Sequence, residues 1–293
     1  MSPFLAVPFA LAASAIASQD APKPRIELLG RVASVTDTNI ERNKEATPSN
    51  GTVLGLSARY RSSEQDPRWT VDYDLAAHQY SNSEEFDRVS HRLQVVYTRE
   101  LSKPLELEVA AEASVKGSTE DRDLSNQLSL QPELSVRLNR SDKLKLKLAL
   151  RKRESPDDRR RNSDNVYGQV AWQHRFDPDR RLEIGFRYEV NRAQSARNHY
   201  VRWGYKIGYE ARVSPRTKLE AEFWYRPRLH THRLVDDGPN RMDKAYSLEF
   251  AARHRMNPRT ELTFSWRFES RTSNDPDKGF GAHTVQVGAN FRF

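Results

Sequence analysis

From about residue 25 to the end of the chain, apolar and polar residues alternate one by one. The pattern is clearest over Thr260–Ser270. There Leu262, Phe264, Trp266 and Phe268 share one parity, and Glu261, Thr263, Ser265, Arg267 and Glu269 share the other. A strand sends successive side chains to opposite faces, so this stretch is a ribbon with one apolar and one charged face. Lys143–Arg153 repeats the arrangement with Leu144, Leu146, Leu148 and Leu150, a period of two that excludes a helix. Arg181–Asn191 and Tyr200–Val213 are equally regular.

Read this way, the chain holds about fourteen strands. The first seven are Arg25–Val35, Gly51–Arg61, Arg68–Tyr80, Arg88–Arg99, Pro104–Lys116, Asn126–Asn139 and Lys143–Arg153. The second seven are Val166–Phe176, Arg181–Asn191, Tyr200–Val213, Lys218–Leu229, Ala245–Met256, Thr260–Ser270 and His283–Phe293. Adjacent Leu28 and Leu29 blur the first, and the eighth is less regular than the rest. Pro132 removes a donor inside the sixth, which predicts a bulge or a local edge there. Gly204 and Gly208, on the polar parity of the tenth, predict open space or sharp curvature.

The links carry equal information. Ser62–Pro67, Leu101–Lys103, Arg140–Asp142, Asp177–Asp179, Ser214–Arg216 and Asn257–Arg259 are short, with Asp-Pro, Ser-Pro and Asn-Pro turn chemistry. Between them lie longer polar links: Thr36–Asn50, Ser81–Asp87, Gly117–Ser125, Ser155–Asn165, Arg192–Asn198, His230–Asp243 and Arg271–Ala282. The short links recur about every 40 residues, a spacing that also suits a β-propeller blade. A blade needs four short strands per repeat, whereas each repeat here holds two of about eleven residues, the length of a tilted bilayer-spanning strand. The expected fold is all-β: an antiparallel up-and-down transmembrane barrel with tight turns at one end and larger loops at the other.

Composition sharpens this reading. The 293 residues include no cysteine, which rules out disulfides and thiolate metal sites. Hydrophobic residues make up 37% and charged residues 30%, and past the N-terminus no apolar run is long enough for a spanning helix. A barrel tolerates this composition because only alternate residues need be apolar. The net charge of +8 is distributed in strand alternation rather than gathered on a helix, so nucleic acid is not an expected partner. Met1–Ala17 reads as a signal peptide, with Ala15-Ile16-Ala17 as a cleavage site, though it lacks a basic start. The expected organisation is a signal at 1–17, a short periplasmic lead at 18–24 and a barrel over 25–293.

The chain ends Val287-Gly288-Ala289-Asn290-Phe291-Arg292-Phe293. A terminal Phe with alternating apolar residues before it resembles the end signal of bacterial outer-membrane barrels. By strand count and loop size the chain resembles the monomeric fourteen-stranded porins. That resemblance implies a Gram-negative outer-membrane protein whose Phe293 is read by the barrel assembly machinery, with membrane lipid and lipopolysaccharide as surroundings. It implies passive transport of small hydrophilic or anionic solutes through a channel. Tyr60, Trp69, Tyr97, Phe176, Tyr209 and Phe293 lie near short links on the apolar parity, as an interfacial girdle would.

Fourteen strands close a tube too wide for side chains to fill, so the charged parity is expected to line a pore. The candidate lining residues are Asp74, Glu108, Glu112, Lys147, Arg151, Arg187, Lys206, Glu222, Arg226, Glu249, Arg253 and Arg267. Acids gather on the third to fifth strands and bases on later ones, which predicts a transverse field and a mild anion preference. The bland alternative is that the charges pair across strands and only hold the wall. Thr36–Asn50, the longest link, is the candidate constriction. No cofactor, metal site or catalytic residue is expected. Ser90-His91 lacks a third partner, and His230 and His232 with Asp236-Asp237 read as loop polarity. The run Asp157–Arg161 reads as a solvated loop, with contact to lipopolysaccharide phosphates as the alternative. Another function class stays open: a barrel component of an assembly, export or scaffold complex working with protein partners; a lipid-modifying or proteolytic enzyme is a distant third and would need a Ser/His or Asp/His pair within hydrogen-bond reach at the rim.

Overall fold

The computed structural model describes residues 24–62, 66–118, 124–156, 158–235 and 238–293. The signal-like segment and most of the lead lie outside them, as do Asp157, Asp236 and Asp237. The described residues form one closed antiparallel barrel of fourteen strands. In order these are β1 (Arg25–Asp37), β2 (Ser49–Arg61), β3 (Arg68–Tyr80), β4 (Arg88–Ser102), β5 (Leu105–Ser118), β6 (Leu124–Arg137) and β7 (Asp142–Glu154). They continue as β8 (Ser163–Asp177), β9 (Arg180–Ala193), β10 (Tyr200–Ser214), β11 (Thr217–Leu234), β12 (Asn240–Asn257), β13 (Thr260–Ser273) and β14 (Phe280–Arg292).

Each strand pairs with its sequence neighbours, and β1 pairs with β14 from Leu29↔Arg292 to Asp37↔Thr284. Closure leaves no sheet edge, the condition for a strand structure inside lipid, where an unpaired backbone group has no water to bond. The two faces differ as the alternation requires. Leu54, Leu56, Leu128, Leu148, Ile207 and Leu262 point outward and are exposed. Exposed apolar area on this scale needs a bilayer around it. At the rim of the short turns Trp69 and Tyr97 meet with ring centroids 4.8 Å apart. The Phe293 amide donates to the Leu28 carbonyl at 3.1 Å, and its ring lies over Gly30.

Some expectations need correction. The link expected over His230–Asp243 is mostly strand: β11 runs to Leu234, β12 starts at Asn240, and only 235–239 connects them. Both strands rise above the apolar band, where both faces are polar and the period-two signal disappears although the backbone ladder continues. The ends of Gly117–Ser125 and Arg271–Ala282 join strands for the same reason. Pro132 causes no bulge. The register is the same on both sides of it, Leu130↔Leu150 and Glu133↔Lys147, and the ladder to β7 merely skips the proline and its neighbour. Pro227 on β11 sits at a similar gap opposite β10. Leu29 faces inward, paired with Arg292, which resolves the blurred alternation of β1.

The inward side is not charged throughout. Ala33, Val35, Val53 and Tyr80, on β1 to β3 near the long loops, form a buried apolar cluster with Ile40, and Phe86 packs against it. The closing seam is tight at one point: a Cβ on Gly288 would lie 2.5 Å from the Val32 carbonyl oxygen and 2.6 Å from the Ala33 Cβ. Gly281, also on β14, has open space around it. Gly288→Ala should therefore destabilise closure by about 1–3 kcal/mol, while Gly281→Ala leaves it unchanged. The temperature at which the folded band converts to the unfolded one on a gel checks the pair.

Candidate functional site

The candidate site is the lumen, and its charged side chains fall into three levels. At the end carrying the long loops, residues 38–48 turn inward over β13, β14, β1, β2 and β3. Ile40 drops into the apolar cluster, and its amide donates to the Thr47 carbonyl at 2.9 Å. Arg42, in the left-handed region at φ 56°, reaches the inner wall. Its guanidinium lies 2.7 Å from Asp37 and 2.8 Å from Glu269 and donates to Thr284 Oγ1 at 3.2 Å. Burial opposes the Arg42 charge, but its hydrogen bond to Asp37 and the negative charges of Glu269 and Asp37 outweigh this and raise its pKa. The expected constriction at Thr36–Asn50 is thus a loop clamped by one buried cation between two carboxylates.

The other sector of this mouth is basic. On β12, Asp243, 1% exposed in its side chain, sits 2.9 Å from Arg228 and 2.8 Å from Arg241. His230 Nε2 is 3.5 Å away, and Ser273 Oγ donates to Asp243 at 2.7 Å. Glu189 on β9 is fully buried and accepts from Asn165, Tyr200 and Arg202. These carboxylates fix the guanidiniums in place rather than leaving them as mobile surface charges. On the loop that follows β7, Asp158 caps a short 3₁₀ turn and pairs with Arg160; that bond holds its carboxyl below the usual carboxylate range.

Half-way down lies an aromatic and guanidinium belt. Arg187 stands 4.4 Å over the Tyr167 ring and 4.9 Å over the Trp224 ring, and it donates to Gln169 Oε1 at 2.9 Å. Arg151 faces Tyr167 at 5.4 Å, and Arg226 faces Trp224 at 5.9 Å. Each ring face attracts cations, so the rings order these side chains without neutralising them. Gly204 makes room here: a Cβ would meet Arg226 Cγ at 3.1 Å. Gly208 is different. Its only near neighbour would be Lys206, and it borders the recess below.

Toward the short turns the charges pair laterally. Lys206 bridges Glu183 at 3.2 Å and Glu222 at 2.9 Å; Arg267 meets Glu249 at 2.5 Å and Arg253 meets Glu220 at 3.2 Å. On the facing wall Arg92 pairs with Asp74 at 2.8 Å and lies 3.7 Å from Glu112. Lys147 pairs with Glu133 at 3.0 Å, and Glu133 stands opposite Glu108 on the neighbouring strand. Exposure separates the levels. Arg92, Arg253 and Arg267 are 47%, 48% and 47% exposed, whereas Arg202 and Arg228 are 10% exposed. The lower lumen is open to water, and the upper lumen is crowded and ordered.

All the candidate lining residues thus share the inward parity. They form not one ring but the belt (Arg151, Arg187, Arg226) and two paired walls below it. Ser90 and His91 point to opposite faces of β4: Ser90 Oγ contacts the Ala76 carbonyl, and His91 Nδ1 lies 2.9 Å from Tyr73 on the outside. His230 and His232 do not converge, because the first faces Asp243 and the second meets His199 edge to face. Sequence reasoning missed Arg228, Arg241, Asp243, Tyr167 and Trp224. Arg241 and Asp243 lay in a stretch read as loop, and Arg228 lay at the end of the strand read over Lys218–Leu229. The two aromatics sit on the polar parity, which was the available signal.

No protein-family model and no curated protein sequence matches the chain. Among solved structures the barrel is similar to the outer membrane channel DcaP of Acinetobacter baumannii, with a TM-score of 0.56 and 11% identity over 92% of this chain and 98% of that one. It is similar to an anion-selective porin from Comamonas acidovorans, with a TM-score of 0.54 and 10% identity over 92% of this chain and 100% of that one. The trimer form of OmpT, an outer membrane protein of Vibrio cholerae, gives 0.55 and 10% over 93% and 100%. The fold is that of a bacterial outer-membrane β-barrel. Identities this low carry the fold and nothing finer, so the inward chemistry must speak for itself.

Removing the Arg42 clamp should release the inward loop while the barrel stays closed. In Arg42→Ala, exchange of the Ile40 amide is expected to quicken roughly tenfold or more, because a buried ion pair has lost one partner. Amides in the β5 to β10 ladders should keep their rates, as followed by hydrogen exchange with mass spectrometry.

Proposed function

We propose that this outer-membrane barrel is a channel for passive passage of small hydrophilic solutes, with a preference for anions. The observation that carries the reading is the belt in which Arg151, Arg187 and Arg226 stand against Tyr167 and Trp224 at mid-depth. Below it most charges are matched laterally, so they hold the wall and add little net field. At the belt three guanidiniums gather on ring faces and add positive charge where a permeating ion must shed part of its water. Solved channels and an anion-selective porin share the fold, which is consistent with this reading. On the same reading residues 1–17 direct export, Phe293 is read by the barrel assembly machinery, and the outer loops meet lipopolysaccharide.

A second reading, a barrel serving an assembly, export or scaffold complex, draws on the inward loop at 38–48, since a partially covered mouth also suits a partner-gated passage. Conductance separates the two. Pure folded protein in planar bilayers should conduct, and its reversal potential in a salt gradient should report anion preference. Combining Arg151→Gln, Arg187→Gln and Arg226→Gln should move that potential toward cation preference. A folded protein without conductance would remove the channel reading and favour the second.

A further inference from the structure

The side of the lumen built around β9 to β12 changes its charge balance along the barrel axis. At the long-loop end a recess of about 270 Å³ is lined by Arg153, Arg228, Arg233, Arg241, Arg271 and Lys278, and by no carboxylate among the described residues. At the short-turn end a second recess of about 270 Å³ is lined by Glu183, Glu210, Glu220, Glu222 and Glu249 against Arg181 and Lys206. The two recesses share neighbouring strands, so an anion meets a guanidinium-rich mouth at one end and, at the other, carboxylates already paired with Lys206, Lys218, Arg253 and Arg267.

The outer recess is organised. Asp243, buried behind it, faces Arg228 and Arg241, so one negative charge fixes two positive ones and leaves an excess. The Tyr200 ring lies 5.3 Å from the Arg228 guanidinium, and the Phe280 ring 4.9 Å from that of Arg271. Arg153 has its Nε buried with no hydrogen-bond partner among the described residues. A monovalent ion engages only part of such a donor set. Oxyanion groups match guanidinium forks two bonds at a time, and several on one solute use several forks at once.

We propose that the outer recess is a binding site for a multivalent oxyanion, a solute bearing two or more phosphate or carboxylate groups, and that it fills from the long-loop face alone. As cargo recognition this rests on the channel reading, but the binding itself does not require conduction. The test is calorimetric titration of the full chain, folded in detergent micelles, with tripolyphosphate and separately with citrate. Saturable one-to-one binding that weakens as salt rises is expected for at least one of them, and the arm that binds names the acid group. Arg153→Gln and Lys278→Gln should each weaken it roughly tenfold. Lys278 lies in the loop between β13 and β14, outside the strands, so its variant decides the matter if the other does not fold. In planar bilayers the same anion should block current from one chamber only. Absence of saturable binding for both anions, affinity unchanged in the folded variants, or equal block from both chambers overturns the proposal. Binding without any conductance leaves the site standing and removes the channel reading instead.

Discussion

Everything in this molecule follows from one requirement: no backbone donor or acceptor can be left open where lipid surrounds it. Helices meet the requirement locally. A chain whose apolar residues come only at every second position meets it only by pairing every strand on both sides, which means joining the last strand to the first. The β1–β14 ladder is therefore the contact on which the others depend. It explains why Gly288 is bare at the seam, where the Val32 carbonyl and Ala33 leave no room for a side chain. It also explains why two strand prolines survive. Pro132 and Pro227 each remove one donor, but the register on either side of the resulting gap is unbroken, and closure persists.

Closure then decides what the inner face does. Outward residues are solvated by lipid and need only be apolar, whereas inward residues are held in a narrow tube at high charge density. Like charges on facing strands would be destabilising, and the lower lumen answers with alternating signs: Lys206 between Glu183 and Glu222, Arg92 between Asp74 and Glu112. The transverse field expected from acids on β3 to β5 and bases on later strands is largely cancelled by such pairs. The imbalance that survives is axial. It is concentrated at the long-loop end, where the arginines outnumber Glu189, Asp243 and Asp275, and at the belt, where guanidiniums gather on the Tyr167 and Trp224 faces.

The barrel was legible because its outer face obeys a simple rule. The Leu-Lys-Leu-Lys run of β7 and the aromatic alternation of β13 announce strands at once, and the alternation of short and long links announces hairpins. The inward set from Asp74 to Arg267 followed from parity alone. What parity does not encode is which inward charges are spent on each other. Asp74 and Arg187 look equivalent in sequence, yet one sits in the paired lower wall beside Arg92 and the other stands over the Tyr167 and Trp224 rings and bonds Gln169. The rule also stops at the edge of the lipid. Above Leu229 neither face of β11 is selected for apolarity, so His230, and Arg241 on β12, read as loop although the strands carry them on. Ile40 was hidden in the opposite way, as a lone apolar residue in a polar link whose burial depends on Val35, Val53 and Tyr80 from three separate strands.

The two sectors of the long-loop mouth complement one another. The sector over β13, β14 and β1 to β3 is covered by a loop whose single inward cation, Arg42, is consumed by Asp37 and Glu269. The sector formed by β7 to β12 is left uncovered, and its cations outnumber the carboxylates that hold them. A solute approaching from outside thus meets, on one side, a lid whose inward cation is outnumbered by its two carboxylates and, on the other, a recess rich in guanidiniums. The inward loop narrows the opening and leaves the basic sector beside it. On the channel reading, selectivity at this mouth would follow from where the lid sits as much as from which residues line the gap. Moving Arg42 off its two carboxylates would expose two acids opposite the basic wall, and so would change the field at the entrance along with its width.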